Sequence, residues 1–155
     1  MDLPPADRTL LVARAATRLC LALGWAPLPE VRLPDGRRLD ILALRGDGGL
    51  AAIEVKSCAR DFLSDAKWPE YRAWCDALYF AVDVDFPDDL LPGDVGLIVA
   101  AEGGAAVIRE PPAHPLAPAR RASLVRRFAS VAATRLARMS DPAGAAMLGA
   151  GLAVE

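Results

Sequence analysis

The segment from Arg37 to Ser57, RRLDILALRGDGGLAAIEVKS, restricts the fold more than any other part of the chain. Two apolar-rich runs of strand length, Arg38–Leu44 and Leu50–Ser57, flank Arg45-Gly46-Asp47-Gly48-Gly49, a segment dense in turn residues. The pattern predicts a β-hairpin. Folded symmetrically about Asp47, it sets Asp40 opposite Glu54. Side chains alternate along a strand, so Asp40, Leu42 and Leu44 share one face while Leu39, Ile41 and Ala43 take the other. On the second strand Ala52, Glu54 and Lys56 point together. The two carboxylates then stand about 5 Å apart at Cβ, with an ammonium one diagonal step away. Like charges directly opposite destabilise a sheet unless something positive lies between them, and a divalent cation meets that need. The residues alone leave a second reading open, in which two acids sit on a solvated sheet face and Lys56 pairs with one of them.

A carboxylate followed on the next strand by Glu-x-Lys resembles the PD-(D/E)XK nuclease superfamily. Asp40 takes the place of the first acid and Glu54-Val55-Lys56 that of the E-x-K, with Leu39 where proline often precedes the acid. Asp61–Val82 (DFLSDAKWPEYRAWCDALYFAV) and Leu90–Ala100 (LLPGDVGLIVA) extend the likeness to the MmcB family of bacterial DNA-repair proteins, over roughly residues 8–140. The resemblance implies an α/β fold, a restriction-endonuclease-like mixed β-sheet flanked by helices. It implies Mg²⁺ or Mn²⁺ held by Asp40, Glu54 and the backbone carbonyl of Val55, oxygen donors that suit hard cations. It also implies that Lys56 orients or helps deprotonate the attacking water and stabilises charge as a phosphodiester of DNA is hydrolysed.

The 155 residues suffice for one domain with a proper core and are too few for two of ordinary size. Residues 1–142 are assigned to the nuclease-like domain and residues 143–155 to a small-residue-rich tail. With 54% hydrophobic and 25% charged residues the mixture is globular. No apolar run reaches membrane-spanning length, and MDLPPADRTL lacks the regions of a signal peptide. Cys20, Cys58 and Cys75 are odd in number and show no CxxC spacing, which argues against a disulfide framework or a zinc site. A cytoplasmic protein is expected. A net charge of −2 argues against a general nucleic-acid coat and is compatible with a local basic surface around an acidic site.

In chain order, Asp7 is a candidate cap for a helix to about Leu23, with Val12, Ala15, Ala16, Leu19 and Leu23 as its core stripe. Glu30–Leu33 is the predicted first strand, and Pro34-Asp35-Gly36 turns it into the hairpin. Ala59–Lys67 reads as helix, with Pro69 kinking it or opening a second turn. Ala77–Val82 and Val95–Ala100 read as buried strands, and Ala105–Arg109 as the last strand. Pro111–Pro118, with four prolines, is a fixed connector. A long helix is predicted from about Ala119 to Met139, its stripe running from Leu124 through Leu136 to Met139. The tail beyond it is expected to be weakly structured or to fold only against a partner.

Arg38, Arg60, Lys67 and Tyr71 are candidate substrate-binding groups: cations for phosphates, and an aromatic ring to stack a base if exposed. Trp68 and Tyr71 fit a core as well as a stack. Glu30 is a candidate third carboxylate or an ordinary edge charge. Asp61 and Asp65 are expected to pair with Arg60 and Lys67. Arg120, Arg127 and Arg138 make a second basic edge, or simply the solvated side of a helix. His114 sits among prolines, and no nucleophile–His–Asp arrangement can be built on it. Two function classes follow from the resemblance. One is a Mg²⁺-dependent DNA nuclease acting in repair. The other is a nuclease-fold module that binds DNA or another repair protein without cutting. A purely structural partner protein assembling through its apolar tail is the weakest of the alternatives.

Overall fold

Every residue of the two middle strands of the sheet is buried, and the rest of the chain is arranged to cover them. The computed structural model describes residues 3–151. In order these form α1 (Pro5–Ala22), β1 (Ala26–Arg32), β2 (Arg38–Leu44), β3 (Leu50–Val55) and α2 (Ala59–Ser64). A 3₁₀ segment (Trp68–Trp74) leads to β4 (Ala77–Asp83), β5 (Gly96–Ala101), β6 (Gly104–Arg109), α3 (Pro118–Ser140) and α4 (Pro142–Gly151). One six-stranded sheet holds the strands in sequence order. β3, β4 and β5 run parallel, and every other neighbouring pair is antiparallel. The mixed α/β sheet with helices on both faces is the expected architecture, because parallel strands need crossover segments that then cover the faces.

On one face α1 lays Val12, Ala16 and Cys20 against Ile41, Ile53 and Tyr79. On the other, Leu124 and Phe128 of α3, with Tyr71 and Cys75, cover Leu42, Leu78 and Phe80. Asp76, buried at the start of β4, fastens three segments. Its carboxylate accepts the N–H groups of Leu50 and Leu116, each at 2.8 Å, and the Arg121 guanidinium at 2.5 Å.

Several expectations are corrected. α1 begins one turn earlier than Asp7, behind Pro4 and with no side-chain cap, because Pro5 at the first position needs no N–H partner. Leu23 is exposed past its end. β1 starts at Ala26, not at residue 30. Its prolines, Pro27 and Pro29, are tolerated since β1 is the sheet's edge. Leu39 was placed with Ile41 and Ala43 but packs in the cluster of Leu42 and Val31. The break coincides with one in β1, where Glu30 has a φ of +50° and the alternation changes between the Pro29–Ile41 and Val31–Leu39 pairs. The carbonyls of Pro29 and Glu30 at this kink accept the Arg135 guanidinium of α3. Helix α2 stops at Ser64, and Pro69 falls in the first turn of the following 3₁₀ segment. Only the N-terminal half of the α3 stripe is covered; Leu136 and Met139 are exposed beyond the sheet. The tail is helical to Gly151, while residues 152–155 lie outside the described ones.

Candidate functional site

The hairpin forms with the register expected from its tip, Leu44 facing Leu50 and Ile41 facing Ile53. Asp40 and Glu54 are the next pair in that register. At this point carboxylates replace the backbone ladder. Glu54 Oε1 accepts the N–H of Asp40 at 3.0 Å, and Asp40 Oδ2 accepts the N–H of Val55 at 2.8 Å. The two acids are thus locked together by reciprocal side-chain bonds across the strand pair. Asp40 Oδ1 and Glu54 Oε2 bond to no protein group among the described residues.

Glu54 is only 4% exposed. Burial and then the charge of Asp40 push its carboxyl up to about 8, against the pull of the Asp40 N–H and of Lys56. Asp40 is also raised, again by burial first, although the Val55 N–H, Lys56 and Arg38 act in the other direction. Glu54 is buried and Asp40 half-buried, and burial raises both carboxyls, so the pair ionises with difficulty and offers the oxygen donors that hard divalent cations take. The donor set fits Mg²⁺ or Mn²⁺, with the Val55 carbonyl between the two motif residues. Among the described residues no set of three or more His, Cys, Asp or Glu side chains converges as a ligand cage, so water or substrate oxygens would complete the coordination.

Lys56 is buried, and its ammonium does not bridge to either acid. It donates to Asp65 Oδ2 at 2.7 Å. Asp65 was expected to pair with Lys67 or Arg60. Instead it reaches back to the strand end, and its other oxygen accepts the Lys67 N–H at 3.0 Å. Burial raises the Asp65 carboxyl, but Lys56 and that N–H outweigh it and hold the group low. Asp61 turns inward too, its Oδ2 accepting the Ser57 N–H at 3.3 Å.

Tyr71 has no free face for stacking. Its ring is in the core and its hydroxyl donates to the Arg38 carbonyl at 3.4 Å. Burial, then the charges of Glu54, Asp65 and Asp40, push its hydroxyl up to about 12, so the hydroxyl end lies at the acid site. Trp68 packs edge-on to Phe80 at 5.3 Å and carries the Arg72 guanidinium on its ring. Glu30 is not brought in as a third acid; it is exposed and faces Arg38 at 3.7 Å. Arg38, Arg60 and Lys67 are exposed, and the latter two have no side-chain partner among the described residues. The C-terminal arginines are largely spent on structure. Arg120 donates to the Ala73 carbonyl and covers Trp74, and Arg127 donates to the Arg32 carbonyl.

A mixed α/β sheet with an acid pair and a buried lysine beside its central strands defines the class: an α/β protein with a paired acidic centre. The MmcB-like DNA repair family model matches residues 1–143. The chain belongs to the MmcB-like family of DNA repair proteins. It is also similar to a solved structure, the SPO1766 protein of unknown function from Silicibacter pomeroyi, with 41% identity and a TM-score of 0.83. That match covers 93% of this chain and 97% of the other. No curated protein matches it. No helix of the described residues is long and apolar enough to cross a membrane.

Proposed function

We propose that this protein is a divalent-metal-dependent DNA endonuclease of repair, built on the PD-(D/E)XK pattern. The observation that carries the reading is the reciprocal locking of Asp40 and Glu54 at the end of the hairpin ladder, with Lys56 buried two positions on. Asp40, Glu54 and the Val55 carbonyl would hold Mg²⁺ or Mn²⁺. The cation, when bound, supplies Lewis acidity toward phosphoryl oxygen and makes water more acidic. Lys56 provides a fixed positive charge for the developing charge at phosphorus and a donor to orient the attacking water. Asp65 sets where that ammonium lies. Arg38, Arg60 and Lys67 contact backbone phosphates, so affinity for DNA falls steeply with salt.

The test is a cleavage panel of duplex, single-stranded, nicked and branched DNA with Mn²⁺, Mg²⁺ or EDTA. Metal-dependent product is expected, and Asp40→Ala and Glu54→Ala are expected to lose it while remaining folded. Intact DNA across the whole panel refutes the enzyme reading. A second reading, a module that binds DNA or another repair protein without cutting, is favoured by the engagement of Lys56 with Asp65 and by the absence of a third acid among the described residues. Binding that survives both alanine substitutions, with no product from the parent protein, supports that reading.

A further inference from the structure

Helix α2 is short, and its attachments all lie on one side. Phe62 packs edge-on against Phe80 at 5.5 Å, and Phe80 is the β4 neighbour of Glu54. Asp61 holds the Ser57 N–H, and Asp65 holds Lys56 at 2.7 Å. These three inward contacts tie α2 and its exit to the end of β3, beside the acid pair. What remains faces outward. Arg60 and Lys67 are exposed with no acidic partner among the described residues, and between them Leu63 is 69% exposed.

Single exposed leucines are common and need no explanation by themselves. Leu63 is distinguished by its position, on a helix fastened to the end of β3, with an exposed, unpaired cation three residues before it and another four residues after it in the sequence. Cations of that kind complement a phosphate backbone, and DNA is the partner they fit. An apolar side chain near phosphate contacts is used by architectural DNA-binding proteins to enter the gap between two bases and keep them apart. A continuous stack resists such entry. A step already opened by a junction, flap, bulge or mismatch does not.

We propose that α2 is a wedge, in which Leu63 inserts at an unstacked step while Arg60 and Lys67 hold the flanking phosphates. The preferred partner is therefore interrupted DNA, not continuous duplex. This deepens the reading above and rests on its DNA-binding part. Binding is measured by fluorescence anisotropy on a matched duplex and on a three-way junction of equal length, in EDTA so that nothing is cut. The parent protein is expected to favour the junction by about tenfold, the scale of one base's stacking contact. Leu63→Ala should collapse that ratio to near one while leaving duplex affinity and the unfolding midpoint unchanged, and Leu63→Met should keep it. Arg60→Ala and Lys67→Ala should weaken both DNAs equally and each reduce the salt slope by about one. A 2-aminopurine beside the junction should brighten on binding the parent protein and not the alanine variant. A preference for the junction that survives Leu63→Ala, or a parent protein that binds both DNAs equally, overturns the wedge and leaves the nuclease reading standing. Failure to bind any DNA overturns both.

Discussion

Neutralising Glu54 is expected to abolish a pH dependence of stability that the parent protein shows in the absence of metal. Burial and Asp40 together raise the Glu54 carboxyl from 4.5 to about 8. In the unfolded chain it titrates near 4.5, so between those values the folded protein binds the extra proton. Stability therefore falls as pH rises through this window, and above about 8 the loss is complete. At 1.36 kcal/mol for each pH unit, the loss from this one group between pH 6 and pH 8 is about 2 kcal/mol. For a chain of this size that lowers the unfolding midpoint by about 5–8 °C. Asp40, raised by the same burial, acts in the same direction. The other shifted groups lie away from the window, Asp76 at about 2 and Cys75 and Tyr71 at about 12. The assay is thermal unfolding in EDTA from pH 5.5 to 9, with Glu54→Gln beside the parent protein. Glutamine keeps an acceptor for the Asp40 N–H and carries no charge, so its midpoint should change much less across the window. Added Mg²⁺ should raise the parent midpoint more at pH 8 than at pH 6, because the cation competes with protons for the same oxygens. Parallel midpoint curves for the two proteins in EDTA would refute the argument.

Asp65→Asn removes the partner that holds Lys56 away from the acid pair. Mn²⁺ affinity by calorimetry should fall about tenfold as the ammonium turns to the acids, and should return in the Lys56→Met, Asp65→Asn double variant, the signature of coupling through the lysine. Asp76→Ala strands two backbone donors and Arg121 and should cost about 3 kcal/mol in chemical denaturation. Because the Asp76 carboxyl is held down at about 2 by Arg121 and the two N–H groups against the effect of burial, that stabilisation is present above pH 4 and disappears as pH falls through 2. Gly96→Ala sets a methyl group into the ring of Tyr79 and should cost about 1–3 kcal/mol, read as a lowered midpoint with the acid-pair pH dependence intact.

Where a pattern was local, the sequence carried it. The hairpin register follows from the tip, and β4 and β5 follow from near-continuous apolar runs that suit strands buried on both sides. Where the outcome depended on a distant partner, it did not. Pro27 and Pro29 are themselves signals of an edge strand, but nothing near Glu30 says that Arg135, a hundred residues on, holds the carbonyls of the kink in β1. The α3 stripe is continuous to Met139 by periodicity, but Leu136 and Met139 are exposed, because periodicity marks an apolar face and not how much of it meets a partner. The burial of Tyr71, one of two readings left open, and the pairing of Asp65 with Lys56 have one source. Both residues follow a helix whose length was overestimated, and once α2 stops at Ser64 the chain turns back onto the site.

The location of the acid pair is itself an argument about purpose. Asp40 and Glu54 occupy the first register step where the β2–β3 ladder gives out, and their oxygens take the backbone donors that the ladder leaves behind. Asparagine and glutamine would offer those N–H groups a carbonyl acceptor without setting two ionisable acids side by side. A hairpin end selected for stability alone would be expected to carry the neutral pair. This one keeps both carboxyls, Glu54 buried and Asp40 half-buried, with both raised by burial, and ties the adjacent lysine to a separate acid. Under the proposed reading, a cation shared between the two acids would offset their repulsion, which gives a chain a reason to keep both carboxyls.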